Sequence, residues 1–236
     1  MTETTTTPET AIEAMFKVGA HFGFSRARRH ASVKADLFGA KNGVDIIDLE
    51  KTITQLDAAK AFMFELGKSG KKALFVGTKS ETRDLVEAAA VSLDMPFVAE
   101  RWVGGTLTNW PEIKKRVSRL RELSDKFTKG ELEKYTKKER LLFERELIKL
   151  RREFGGIVDM EQVPQALVIV DPREEHIAVL EAIKTKVPIV ALLNSDCNKD
   201  EITHPILAND SAPKSVQYFL EVLRDEYRKG AKERAA

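Results

Sequence analysis

The sequence predicts an α/β fold, a mostly parallel sheet with helices on both faces, into which one helical hairpin is inserted. Three observations carry this. Short β-branched runs alternate with longer stretches in which apolar residues recur at three and four. The runs are apolar at successive positions, as strands buried on both faces are. Between Asn109 and Gly156 the alternation stops, and two helical patterns follow one another across a short connection.

The opening MTETTTTPET is threonine-rich and lacks a hydrophobic pattern, so a disordered tail is expected over residues 1–10. A globular domain then takes residues 11–108 and 157–228. The segment AKNGVDIID near 40–48 contains Asn42-Gly43, a dipeptide suited to a hairpin turn with positive φ. The first strands are therefore expected to form a small antiparallel addition. ALFVG at 73–77, PFVA at 96–99, ALVIVD at 166–171 and VPIVALLN at 187–194 supply the parallel strands. Helices over 50–67, 80–92, 174–186 and 212–228 cover them, giving a flavodoxin- or Rossmann-like layout, with a flexible tail over 229–236.

Within the insertion at 109–156, Ile113, Val117, Leu120, Leu123 and Phe127 form one stripe, and Phe143, Leu147, Leu150 and Phe154 form another. This is a coiled-coil rhythm. Gly130 suits the end of the first helix, and Thr136-x-x-Glu139 is a capping box for the second. At 1.5 Å per residue each arm reaches about 25–30 Å, enough to protrude from the body. With the apolar seam consumed between the arms, the outer faces are free for a partner.

Bulk properties narrow the function classes. Of 236 residues 42% are apolar, enough for a sizeable core. The single cysteine, Cys197, cannot form an internal disulfide, which with the absence of a signal-like segment places the expected compartment in the cytosol. The longest apolar runs fall far short of the ~20 residues of a membrane span, so no membrane partner is expected. Net charge is only +2, but it is segregated: residues 114–152 hold fifteen Lys and Arg against seven Asp and Glu, a net of +8, which leaves −6 elsewhere. Such separation suits one surface meeting a polyanion. A solvated charged hairpin is the competing reading.

Catalytic chemistry finds little support. Gly67-Lys68-Ser69 imitates the end of a phosphate loop, but Phe62 occupies the first glycine position and the tripeptide precedes a strand. Gly77 follows a strand without the further glycines of a dinucleotide site. Lys79 beside a helix start could still attract an RNA phosphate, with ordinary capping by Thr78 or Ser80 as the competing role. His21, His30, His176, His204 and Cys197 show no close ligand spacing, the segment from Asp196 departs from a calcium loop at Glu201 and Leu207, and no G-x-S-x-G elbow occurs. No catalytic residue, cofactor or metal is expected. Because the layout also serves nucleotide- or sugar-phosphate-binding enzymes, that class remains the alternative.

The positive signals concern RNA. Arg26, Arg28, Arg29 and Lys34 cluster beside His30, and Arg101-Trp102 and Asn109-Trp110 flank Gly104 and Gly105. Guanidinium and indole groups bind phosphates and stack on splayed bases. Packing at the hairpin base is the competing role for the two tryptophans. Lys114, Lys115, Arg119, Lys137 and Lys138 are the candidates on the hairpin.

Taken in order, MFKVGAHFGF at 15–24, LFGAKNGVDIIDLEKT at 37–52, ALFVGTK at 73–79, RWVGGTLTNW at 101–110, GGIVDM at 155–160 and the stretch from Pro164 to Pro188 resemble bacterial small-subunit ribosomal protein family two. In that last stretch Pro164, Asp171, Glu175, Glu181 and Pro188 fall at the family's intervals, and the joint order covers about 210 residues. The resemblance implies a parallel-sheet domain with a protruding coiled-coil hairpin, attached late to small-subunit ribosomal RNA near the head and body. It also implies neighbouring ribosomal proteins as partners, including the large OB-repeat protein that captures messenger RNA. The chain departs from the family at Phe24, where a His or similar polar residue is usual, and in SRARRHASVK, which replaces a Trp-Asn-Pro-Lys stretch. Asn194-Ser195 stands where an Asp-Thr pair is common, and the short C-terminus is expected to lack the contacts of longer acidic tails.

Overall fold

Period-two burial organises the central sheet of this computed structural model, which describes residues 8–235. Strands β4 (Ala73–Val76), β6 (Ala166–Val170) and β7 (Ile189–Leu193) are buried at every position. Successive side chains leave a strand on opposite faces. Leu74, Val76, Leu167, Ile169, Ile189, Ala191 and Leu193 therefore enter one core, and Ala73, Phe75, Ala166, Val168, Val170, Val190 and Leu192 enter the other. With β5 (Phe97–Val98) and β8 (His204–Leu207) the order is β5-β4-β6-β7-β8, all parallel. The chain leaves β4 toward β5 and then returns to β6 on the other side. The strand order thus reverses between β4 and β6, the place where open α/β sheets hold ligands.

A second sheet is antiparallel, in the order β1-β3-β2, from β1 (Phe22–Ser25), β2 (Leu37–Lys41) and β3 (Val44–Ile47). Asn42 and Gly43 join β2 to β3 with φ of 53° and 79°, the positive pair that a tight hairpin needs. Asp48 then caps α2 (Leu49–Lys68), its carboxylate accepting from the Glu50 N–H at 3.1 Å. Helix α3 (Arg83–Val91) and α6 (His176–Thr185) complete the crossovers.

The last helix, α7 (Pro213–Ala235), passes residue 228, where a flexible tail was expected to begin. Its cause is a backbone-to-backbone crossing with α2. A Cβ on Gly67 would stand 2.2 Å from the Tyr227 carbonyl oxygen, and one on Gly230 would stand 2.0 Å from that of Phe64. Gly67→Ala would gain about 1 kcal/mol of helix propensity in an open helix, but here it must push α7 away, at about 1–3 kcal/mol of overpacking. A net loss of stability in urea unfolding is expected; a gain would show that the crossing tolerates a methyl. At the other end, α1 begins at Pro8, inside the expected tail, and runs to Lys17. The rest of that tail, residues 1–7, lies outside the described residues.

Between β5 and β6 run α4 (Trp110–Thr128) and α5 (Lys137–Phe154). Gly130 turns the chain with φ 68°, and Thr136 and Glu139 close a reciprocal capping box on α5. Ile113, Val117, Leu120 and Leu123 join Leu147, Leu150 and Phe154 in the same core as Val98 and Trp102, so the helix pair is rooted in the body. Phe127 is 38% exposed, leaving the far end of the seam looser than its apolar stripe implied.

Candidate nucleic-acid interface

The residues from Ser25 to Asp36 have little regular structure of their own, being two 3-10 turns, Arg26–Arg28 and Ala31–Asp36. Their position comes from stitches to the end of the parallel sheet. Phe24 N–H donates to Ser195 Oγ at 2.9 Å, and His30 N–H to the Ser195 carbonyl at 2.8 Å. The Lys199 N–H donates to Ser32 Oγ at 3.0 Å, and the Lys199 ammonium pairs with Asp36. On this stapled loop Arg26, Arg28 and Lys34 are exposed and, among the described residues, make no ion pair. Arg29 behaves differently. Its Nε donates to Asp45 Oδ2 at 2.8 Å and its Nη2 to Oδ1, and the Asp45 side chain is fully buried. Those hydrogen bonds raise the Arg29 pKa further. Arg29 therefore neutralises a buried carboxylate.

Lys79 is also engaged by carboxylates. It stands at the β4–β6 reversal, where its ammonium pairs with Asp171, lies 4.0 Å from Asp210 Oδ1 and donates to Ser211 Oγ at 3.2 Å. Burial alone would lower its pKa, but Asp210 and Asp171 outweigh it and the pKa is raised. The Phe24 ring covers it, with Nζ 5.9 Å from the centroid. Beside it, Glu175 accepts from Thr78 N–H at 2.7 Å and Thr78 Oγ1 at 2.6 Å. The crevice where a nucleotide would bind is filled by the protein's own charges.

Asp171, Cys197 and Asp210 bring ligand atoms within 4.8 Å of one another, a convergence that sequence spacing did not reveal. Burial pushes the Cys197 thiol up, with Asp210 and Asp171 adding to the effect, and burial followed by Asp171 raises the Asp210 carboxyl. A protonated thiol is a poor ligand, and the Lys79 ammonium already supplies the cation that these carboxylates need.

Both tryptophans are packing residues. Trp102 is 7% exposed and Trp110 9%, and the Trp110 indole N–H donates to the Glu161 carbonyl at 3.3 Å. Trp102 is thus packed into the core at the base of α4. Its Nε1 donates at 3.1 Å to Glu181, whose carboxylate also accepts from the Gly105, Leu107 and Thr108 N–H groups at 2.7, 3.0 and 3.1 Å and from Thr108 Oγ1 at 3.0 Å. Burial would raise the Glu181 pKa, yet the N–H donors prevail and hold it below the usual carboxylate value. Five donors on one carboxylate fix the loop that ends in exposed Arg101 and Asn109.

On α4 and α5, Lys114, Lys137 and Lys138 are exposed and, among the described residues, make no ion pair. Lys115 pairs with Glu112 at 2.5 Å across a solvated turn, a weak restraint that a stronger anion can displace. Arg119 is bound more firmly, with Nε and Nη2 on the two Glu146 oxygens at 3.0 and 3.1 Å and Nη1 on Glu122 at 3.2 Å. It bridges the two helices, so it serves their pairing instead of a free outer face.

The ribosomal protein S2 family model matches residues 15–230. The small ribosomal subunit protein uS2 of Nocardia farcinica is 42% identical over 224 residues, which is 95% of this chain and 79% of that protein. The protein of the same name from a Roseiflexus species is 40% identical over 215 residues, 91% of this chain and 82% of its own.

Proposed function

Because the chain belongs to the ribosomal protein S2 family, we propose that its unpaired surface cations hold it to ribosomal RNA of the small subunit. The chain is a structural constituent of that subunit in translation and not an enzyme, and its partners are small-subunit RNA and ribosomal proteins. No helix among the described residues is long and apolar enough to cross a membrane.

The observation that carries the RNA reading is a partition of charges. Arg29, Lys79 and Arg119 are consumed by carboxylates, while Arg26, Arg28, Lys34, Arg101, Lys114, Lys137 and Lys138 are exposed and have no ion-pair partner among the described residues, on segments that hydrogen bonds and packing fix in place. Fixed cations lose little freedom on meeting phosphates. In this reading α4 and α5 form a projecting coiled-coil arm, and the body offers a docking surface to the large OB-repeat protein that captures messenger RNA. If about five cations engage phosphates, the log–log salt dependence of binding to small-subunit ribosomal RNA has a slope of about −3.5 to −4.5. A slope near zero would remove the RNA reading.

A further inference from the structure

We propose that the outer face of α6 is an interface between two copies of this chain, an inference that goes beyond the ribosomal reading and does not depend on it. Ala178, Val179, Glu181 and Ala182 are buried on the inner side, as a helix covering a sheet requires. The outer side is apolar as well. Ile177, Leu180 and Ile183, one on each successive turn, are 46, 59 and 47% exposed. A single exposed aliphatic side chain needs no explanation, but a contiguous apolar stripe marks an interaction site. A helix that is apolar all round belongs in an interior, and in one chain this side of α6 is open.

The charges at the two ends of the stripe select the occupant. Glu174, in the turn that leads into α6, and Lys184 and Lys186 at its far end are exposed and, among the described residues, make no ion pair. Arg173, next to Glu174 in sequence, is already engaged by Asp196 at 2.5 Å. The stripe is therefore acidic at its start and basic at its end. A two-fold axis through Leu180 runs a second α6 antiparallel to the first and sets residues equally far before and after Leu180 against one another. Leu180 then meets Leu180, Ile177 meets Ile183, and the Lys184 and Lys186 end of each helix lies beside Glu174 of the other. A helix of a different protein would need apolar and charged positions matched to these; a second copy has them already. One helix per copy is a small interface, so the dimer is weak and concentration-dependent.

The test is sedimentation equilibrium of the full chain, free of RNA, from micromolar to submillimolar loading. A monomer–dimer equilibrium is expected, and Leu180→Glu is expected to raise its dissociation constant about tenfold or more. Glu174→Lys alone and Lys184→Glu/Lys186→Glu alone are each expected to weaken it too. An equimolar mixture of these two charge variants is expected to restore dimers, because each presents the charge that the other lacks. All three charged side chains are solvated, so circular dichroism stays unchanged, and the mixing result stands even where Leu180→Glu disturbs the helix. A chain that stays monomeric over this range overturns the proposal. A dimer that survives Leu180→Glu, or charge variants that fail to pair on mixing, overturns it too. A monomer whose Leu180→Glu variant no longer enters small subunits assigns the face to a ribosomal neighbour, which equally excludes the second copy.

Discussion

Glu181→Ala is expected to lower stability by about 3–5 kcal/mol and to free the loop from Trp102 to Thr108. The alanine removes one carboxylate but strands five donors, among them the buried Trp102 indole and Leu107 amide. Each buried donor left unmet costs about 1–3 kcal/mol, and water reaching the outer ones offsets part of the total. Glu181→Gln keeps the shape and one acceptor oxygen, so an intermediate loss is expected. The two variants also separate charge from shape through pH. The Glu181 pKa is held below its ordinary value of 4.5. A carboxylate with a depressed pKa contributes stability that is present above the unfolded value and is lost as pH falls through the folded one. The gap between wild type and Glu181→Gln should therefore be full at neutral pH and close in acid, as pH falls below the ordinary carboxylate value. Urea unfolding at a series of pH values reads it, and a gap independent of pH would show that the carboxylate's charge does not hold the loop. Glu175 has the opposite sign: burial outweighs its hydrogen bonds from Thr78 and raises its pKa, so its contribution fades as pH rises.

Much of the fold was legible because it is written in local rules. Strands buried on both faces read as unbroken apolar runs, and ALFV, ALVIV and IVALL all fall where expected. Asn42-Gly43 and Thr136-x-x-Glu139 are short signals whose geometry the chain adopts. The elements without a forecast broke those rules. Strand β8 has Pro205 in a run of only four residues, tolerated because an edge strand leaves one row of N–H groups unused. Strand β1 carries Gly23 between two phenylalanines, where a Cβ would come within 3.0 Å of Ser195 Oγ and the Asp45 Cβ. The extension of α7 depends on glycines in two helices that meet only in the folded chain.

Candidate cations were less legible for a related reason. A basic cluster counts charges, but which of them are free depends on carboxylates that arrive from elsewhere. Arg29 finds Asp45 16 residues away and Arg119 finds Glu146 27 residues away. Nothing in the local pattern separates Arg29 from Arg28 beside it. Likewise Asp171, Glu175 and Glu181, visible as a regular signature, could not be read as loop anchors until Lys79, Thr78 and the 102–108 loop were brought against them.

That distinction decides how the basic loop should be tested. Arg26→Glu/Arg28→Glu is expected to weaken binding to small subunits lacking this protein by about 100-fold or more, near 2.8 kcal/mol, while the fold survives. Among the described residues neither side chain pairs with a carboxylate, and substitutions at such solvated sites usually stay within about 0.5 kcal/mol for stability. Binding suffers on two accounts, since each reversal removes a phosphate contact and sets a like charge against the backbone. Arg29→Ala fails by another route. It uncovers the buried Asp45 carboxylate, so the melting temperature should fall before any question of RNA arises. Measuring incorporation and thermal unfolding side by side tells the two apart: lost incorporation with an unchanged melting temperature marks a contact residue, and loss of both marks a structural one. Were the Arg26/Arg28 variant to enter small subunits as the wild type does, this loop would be a scaffold and the RNA contact would have to lie on the hairpin.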